Sequence, residues 1–130
     1  MKTEDLFWLA VNVYHEARGE VFDGQVAVCH VVLNRAVARK SSVYAIVTKP
    51  FQFSWANGSA RPPIKDYAAF ELCMKAAMTA DADRAQGDSL AGADHYYAFS
   101  GTSAIKEPSW VKAGKMREVA RIGNHVFFRS

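Results

Sequence analysis

Thr3-Glu4-Asp5-Leu6-Phe7-Trp8-Leu9-Ala10-Val11-Asn12-Val13-Tyr14-His15-Glu16-Ala17-Arg18-Gly19 is the stretch on which the fold turns. Leu6, Leu9, Ala10, Val13 and Ala17 recur at the spacing that puts them on one face of an α-helix. Thr3 stands where a cap is wanted, Glu4 and Asp5 place negative charge at the positive end of the helix dipole, and Gly19 supplies the stop. Glu16 continues the stripe, at i+3 from Val13, i+7 from Leu9 and i+10 from Leu6. The face that must bury itself therefore ends in a carboxyl group.

A second helix is expected from an Asp23 cap through Gln25 to about Arg39. Val26-Ala27-Val28 and Val31-Val32-Leu33 leave it almost no polar face, the mark of a central buried helix. Its β-branched residues would also suit a strand, but its length favours helix. A short helix near Ser42 to Val47 ends before Pro50. The loop from Pro50 to Gly58 and Arg61-Pro62-Pro63 is too aromatic for a plain connection. Asp66 to Ala80 reads as a helix with Tyr67, Phe70, Met74 and Ala77 on one stripe. Residues 81–94 read as a polar loop, His95 to Phe99 as extended, Pro108 to Val119 as helical and Gly123 to Phe128 as a final extended segment. The sum is a mainly α (α+β) domain of about five helices with little strand.

The chain has 130 residues, enough for one core and too few for two. Half of them are hydrophobic and 22% are charged, the balance of a folded protein. Sixteen Lys and Arg against thirteen Asp and Glu give +3. From Lys106 to Arg129 six basic residues face two acidic ones, a local +4, so the rest is close to neutral. A basic C-terminal quarter suits an anionic partner such as nucleic acid, a membrane surface or a wall polymer; it equally suits a solvated face with no partner. Cys29 and Cys73 lie in apolar runs and read as buried small hydrophobes, with a single bridge between them as the alternative. Acidic residues at the start do not suit a signal peptide, and no run reaches the length of a membrane span. The expectation is a soluble protein made in the cytoplasm.

Glu16 is the sharpest chemical candidate. Burial raises a carboxyl's pKa, and an acid that keeps its proton near neutral pH can donate it to a leaving oxygen. The alternative is a charged Glu16 paired with Arg18 or Arg35 to hold two helices together. His15-Glu16 begins like a zinc-binding helix, but Gly19 stands where the second histidine belongs. His15, His30, His95 and His125 have no ligand spacing, and His30 reads as a packing residue. Neither a Gly-x-Ser-x-Gly elbow nor a phosphate-binding glycine loop is present, and no metal or cofactor is expected. Trp55, Tyr96, Tyr97 and Trp110 lie in or beside loops with Gln52, Ser54 and Asn57. Such aromatic faces and amide or hydroxyl groups suit a sugar-binding groove, and suit a core as well.

Tyr14-His15-Glu16-Ala17-Arg18-Gly19-Glu20, Gly24-Gln25-Val26-Ala27-Val28 and Val32-Leu33-Asn34-Arg35 resemble the opening of the SleB-type cell-wall hydrolase family, which includes spore cortex-lytic enzymes. The resemblance continues through Gln52-Phe53-Ser54-Trp55, His95-Tyr96-Tyr97, Pro108-Ser109-Trp110 and Ile122-Gly123-Asn124-His125-Val126-Phe127. It implies a lysozyme-like domain that cleaves peptidoglycan between N-acetylmuramic acid and N-acetylglucosamine as a lytic transglycosylase. Glu16 would be its catalytic acid and then the base on the muramyl C6 hydroxyl, with Gln52, Ser54, Trp55, Tyr96, Tyr97 and Trp110 binding the glycan strand. A hydrolytic muramidase would need a second carboxylate roughly 5–10 Å away. Glu20 is the nearest in sequence, although capping or pairing with an arginine is the plainer role for it. The expected partner is the glycan strand, bound by a monomer with no nucleic acid. Family members with an export signal and a wall-binding module contrast with this leaderless, single-domain chain. That contrast suggests a phage endolysin reaching the wall in the periplasm once the membrane is permeabilised. Readings of other classes are a non-catalytic wall- or nucleic-acid-binding domain and a wall amidase.

Overall fold

The apolar stripe of the opening stretch becomes helix α1, Thr3–Ala17, with Leu9, Ala10, Val13 and Ala17 buried and Leu6 packed against them. The computed structural model describes residues 1–49, 53–56, 62–98 and 107–130. Lys2 rather than Thr3 occupies the N-cap of α1 and no side chain caps it, so Glu4 and Asp5 are left to meet the helix dipole. Helix α2, Phe22–Arg39, is buried continuously from Gly24 to Leu33, as a central helix should be. Val21 is its N-cap, and Asp23, expected as the cap, lies inside the first turn. Helix α3, Val43–Thr48, starts where Ser42 accepts the Ala45 N–H at 3.1 Å. Helix α4, Tyr67–Ala85, starts where Asp66 accepts the Ala69 N–H at 3.0 Å.

Two expectations are corrected by partners distant in sequence. Helix α4 runs on to Ala85 through residues that read as loop, because its polar side chains find partners on α2. Asp83 lies 3.1 Å from His30 Nε2, and Arg84 donates to Asn34 Oδ1 at 2.7 Å. The buried face of α4 is Cys73, Ala76, Ala77 and Ala80, while Tyr67, placed on the expected stripe, is 78% exposed. Small residues let α4 lie close against both α1 and α2.

The segment expected as one helix from Pro108 to Val119 divides. Helix α5 covers only Ser109–Lys112, and the chain turns away at Gly114, whose φ of +68° favours glycine. The chain then enters a three-stranded antiparallel sheet in which β3, His125–Arg129, lies between β1, His95–Ala98, and β2, Arg117–Ile122. Tyr96 pairs with Phe127 and Ile122 with His125, with a register shift between Glu118 and Ala120. Gly123 opens the two-residue β2–β3 turn at φ +56°, a backbone conformation that costs other residues about 1–2 kcal/mol. Residues His125 to Phe128 are all buried. Phe127 joins the helical core, while Phe128 meets Tyr97 and Trp110 on the other side of the strand. The described residues thus form five α-helices and a small sheet, the mainly α architecture expected.

Candidate active site

The last turn of α1 carries Glu16, and α2 fixes that turn. Gln25, 3% exposed, donates its amide to the carbonyls of Ala17 at 3.2 Å and Arg18 at 3.3 Å. These are oxygens that a helix end leaves without intrahelical partners. Gln25 of the quoted Gly24-Gln25 pair therefore has a concrete task beside the carboxyl.

A cavity of about 340 Å³ opens there, lined by Glu16, Arg35, Phe53, Tyr96, Tyr97 and His125. Arg35 reaches it from α2, donating its Nε to the Asp94 carbonyl at 2.7 Å, with its guanidinium 5.5 Å from the Phe53 ring centre. Asn34 clamps the segment before β1 by donating to the carbonyls of Ser89 at 2.9 Å and Ala93 at 2.7 Å. Neighbouring residues of α2 thus hold β1 in place, and the Tyr96 hydroxyl donates to the Glu16 carboxyl.

Burial pushes the Glu16 carboxyl above its ordinary range; the Tyr96 hydroxyl and the Arg35 guanidinium pull the other way without cancelling the shift. Burial and the nearby Glu16 push the Tyr96 phenol far up, so it remains a donor. Arg35 is therefore a neighbour that favours the charged carboxylate, against the larger opposing effect of burial.

His125, 4% exposed, reaches the cavity from the start of β3. Its Nδ1 lies 2.7 Å from Glu20 Oε1, at ion-pair distance though the ring N–H is not aligned on that oxygen. Asn124 donates to Glu20 Oε2 at 3.4 Å. Glu20 is thus paired with a histidine, not with the arginine the sequence suggested. Burial pulls the His125 imidazole below its ordinary pKa, against the opposing pull of Glu20.

Of the residues expected in the site, Glu16, Tyr96 and Tyr97 come together. Trp55 is 9% exposed, donates its indole N–H to Asn12 Oδ1 at 2.8 Å and stacks on His15 with centroids 5.0 Å apart. It borders a separate hollow of about 180 Å³ with Phe7, Trp8 and Ile64. Trp110 packs edge-on against Phe128 at 5.2 Å and is not among the cavity's lining residues. Gln52 and the side chain of Ser54 lie outside the described residues. Phe53 and His125 stood inside the quoted sequence blocks without being singled out. A histidine opening an apolar strand straight after a Gly-Asn turn was the available signal for the second.

Cys29 and Cys73 are free and buried, and burial pushes both thiols up, Cys73 to about 11. His30 is buried, as a packing residue would be, and holds Asp83. Among the described residues no three His, Cys, Asp or Glu side chains gather as a metal site would require, and no helix is long and apolar enough to cross a membrane.

A carboxyl whose pKa is raised by burial, set among a phenol, a guanidinium and an imidazole, is the equipment of an acid–base enzyme. The profile of the cell wall hydrolase family matches residues 19–128, beginning just after Glu16. The spore cortex-lytic enzymes of Halalkalibacterium halodurans and Bacillus subtilis are each 30% identical over 125 residues. Those alignments cover 95% of this chain and 34% and 37% of the two relatives, so the chain spans about a third of their length. The catalytic domain of the germination-specific lytic transglycosylase SleB from Bacillus anthracis superposes with a TM-score of 0.68 at 27% identity, covering 99% of this chain and 97% of that domain. The Bacillus cereus SleB catalytic domain, at 24% identity, shares the fold with a TM-score of 0.67 over 98% of this chain and 91% of its own. The chain belongs to the cell wall hydrolase family.

Proposed function

We propose that the chain cleaves the glycan strand of peptidoglycan between N-acetylmuramic acid and N-acetylglucosamine as a lytic transglycosylase, with Glu16 as its acid. The observation that carries this is the Glu16 carboxyl, its pKa raised by burial at the cavity while the Tyr96 hydroxyl and Arg35 stand ready for the carboxylate it becomes. Glu16 gives its proton to the glycosidic oxygen as the bond from the muramyl C1 breaks. The two neighbours then stabilise the negative charge left on the enzyme. The muramyl C6 oxygen then bonds to C1 as its proton passes to a base on the cavity wall, and a 1,6-anhydro ring forms. The similar B. anthracis domain, itself a lytic transglycosylase, supports this outcome.

A two-carboxylate muramidase is less well supported, because Glu16 is the only carboxyl lining the cavity among the described residues and Glu20 is turned to His125. A cysteine-dependent amidase would need a thiolate, and both thiols are held protonated. Mass spectrometry of a purified-wall digest tests the reading. Muropeptides one water lighter than hydrolytic products are expected, and reducing muramic ends in their place would overturn it.

Exposed Lys112, Lys115, Arg117, Arg121 and Arg129 give the C-terminal segment its positive surface. In an endolysin setting these cations would draw the enzyme to anionic wall polymers. Binding to purified walls is then expected to weaken from low to physiological ionic strength. Salt-independent binding in a pelleting assay would dismiss that attraction.

A further inference from the structure

We propose that His125, backed by Glu20, is the base for the second half of the reaction, taking the proton from the hydroxyl that attacks the anomeric carbon. This deepens the lytic-transglycosylase reading and rests on it.

The first half leaves Glu16 as a carboxylate accepting from Tyr96 and facing Arg35. Both neighbours stabilise the charged form, which helps Glu16 release its proton and weakens it as the group that must take one back. A single residue serving both steps is thus poorly matched to its surroundings in the second. His125 lines the same cavity, is 4% exposed and has Glu20 Oε1 2.7 Å from Nδ1. With Nδ1 beside the carboxylate, Nε2 is the ring nitrogen left for substrate. The carboxylate behind the ring favours the imidazolium that forms when a proton arrives. Glu20 is in turn fixed by Asn124, and the Gly123 turn lies against it, with a Cβ built there 3.5 Å from Glu20 Oε2. An exposed surface ion pair would need neither the burial nor the place on the cavity wall.

The proton count closes. Glu16's proton goes to the departing glycosidic oxygen as C1–O breaks. The C6 oxygen bonds to C1, and its proton passes to Nε2 of His125. The imidazolium then returns a proton to the Glu16 carboxylate, which restores both groups. The titratable and charged groups around His125 are Glu16 and Glu20 at the end of α1 and beyond it, Arg35 from α2, and Tyr96 and Tyr97 from β1. Burial pulls the imidazole down, so the neutral form that accepts a proton is available at neutral pH. The His125 base then sets the acid limb of the pH–rate profile, and the Glu16 acid the alkaline limb.

The experiment measures kcat, KM and pH–rate profiles on purified peptidoglycan for wild type, Glu16→Gln, His125→Gln and Glu20→Gln, with melting temperatures alongside. For His125→Gln, kcat is expected to fall about 10²-fold with little change in KM, and the acid limb to disappear. Glu20→Gln keeps the imidazole but removes the carboxylate that raises its pKa, so its acid limb is expected to move to lower pH. A wild-type kcat or a surviving acid limb in His125→Gln overturns the proposal. If His125→Gln melts before it can be assayed, Glu20→Gln decides, and an unmoved acid limb there is equally fatal. An active Glu16→Gln would instead bring down the transglycosylase reading itself. An inactive Glu16→Gln beside an unmoved Glu20→Gln profile removes only the dyad.

Discussion

Glu16→Gln is expected to lose about 10³–10⁴-fold of the wall-lytic rate while folding normally and melting no lower than wild type at neutral pH. The amide matches the carboxyl in shape and still offers an oxygen to the Tyr96 hydroxyl, but has no proton to give to a leaving group. Stability moves the other way for a definite reason. The folded-state pKa of Glu16 lies above its unfolded value. The carboxyl's favourable contribution is therefore complete below the unfolded pKa and is lost as pH rises through the folded one. At neutral pH the wild type bears a partly buried charge that the glutamine variant lacks, and the melting-temperature gap should close on acidification. Turbidity clearing of permeabilised cells and melting curves from acidic to neutral pH give the two readouts. Retention of more than about a tenth of wild-type activity would remove Glu16 from the mechanism.

The carboxyl could be read from sequence because a helix has a fixed period, and the stripe from Leu6 to Ala17 extends to Glu16 whatever the rest of the chain does. The same locality explains α2, whose apolar run needs no partner to declare itself buried. What failed to show depended on residues far apart. Trp55, in an aromatic loop, reads from sequence as sugar platform or core alike, and only the fold reveals Asn12, at zero exposure on α1, accepting its indole N–H. Trp110 likewise reads as groove or core, and only the fold shows its ring against Phe128 of β3 and Tyr97 of β1. Arg117-Glu118-Val119 reads as the end of a helix, yet pairing with β3 makes it the start of a strand. Asp83 and Arg84 looked like loop residues because His30 and Asn34, their partners, lie about fifty residues earlier. Arg35 was visible as a candidate counter-ion for Glu16 and as part of the Val32-Leu33-Asn34-Arg35 block. Its bond to the Asp94 carbonyl, which ties α2 to the root of β1, required the fold. Half of the cavity comes from β1 and β3, and their pairing is the least local feature of the chain.

That dependence makes Phe127 the most consequential apolar position. Its side chain is fully buried, pairs in register with Tyr96, and lies with its ring centre 5.7 Å from Tyr96 and 6.1 Å from His125. Phe127→Ala is expected to cost about 3–5 kcal/mol, a large share of the 5–15 kcal/mol that typically holds a domain together. Denaturant melts should show the loss as a lowered midpoint. The effect should not stop at stability. Tyr96 and His125 lose the ring that backs them, so the fraction still folded at low temperature should turn over more slowly as well. Val126→Ala supplies the contrast. Val126 is 2% exposed and alternates to the opposite face of β3, away from Tyr96 and His125. It should lose stability by a smaller cavity term while its folded fraction keeps the wild-type kcat. Equal effects of the two substitutions on kcat would mean that the sheet supports the cavity only by being folded. A slower Phe127→Ala beside a normal Val126→Ala would place that support in one ring on the inner face.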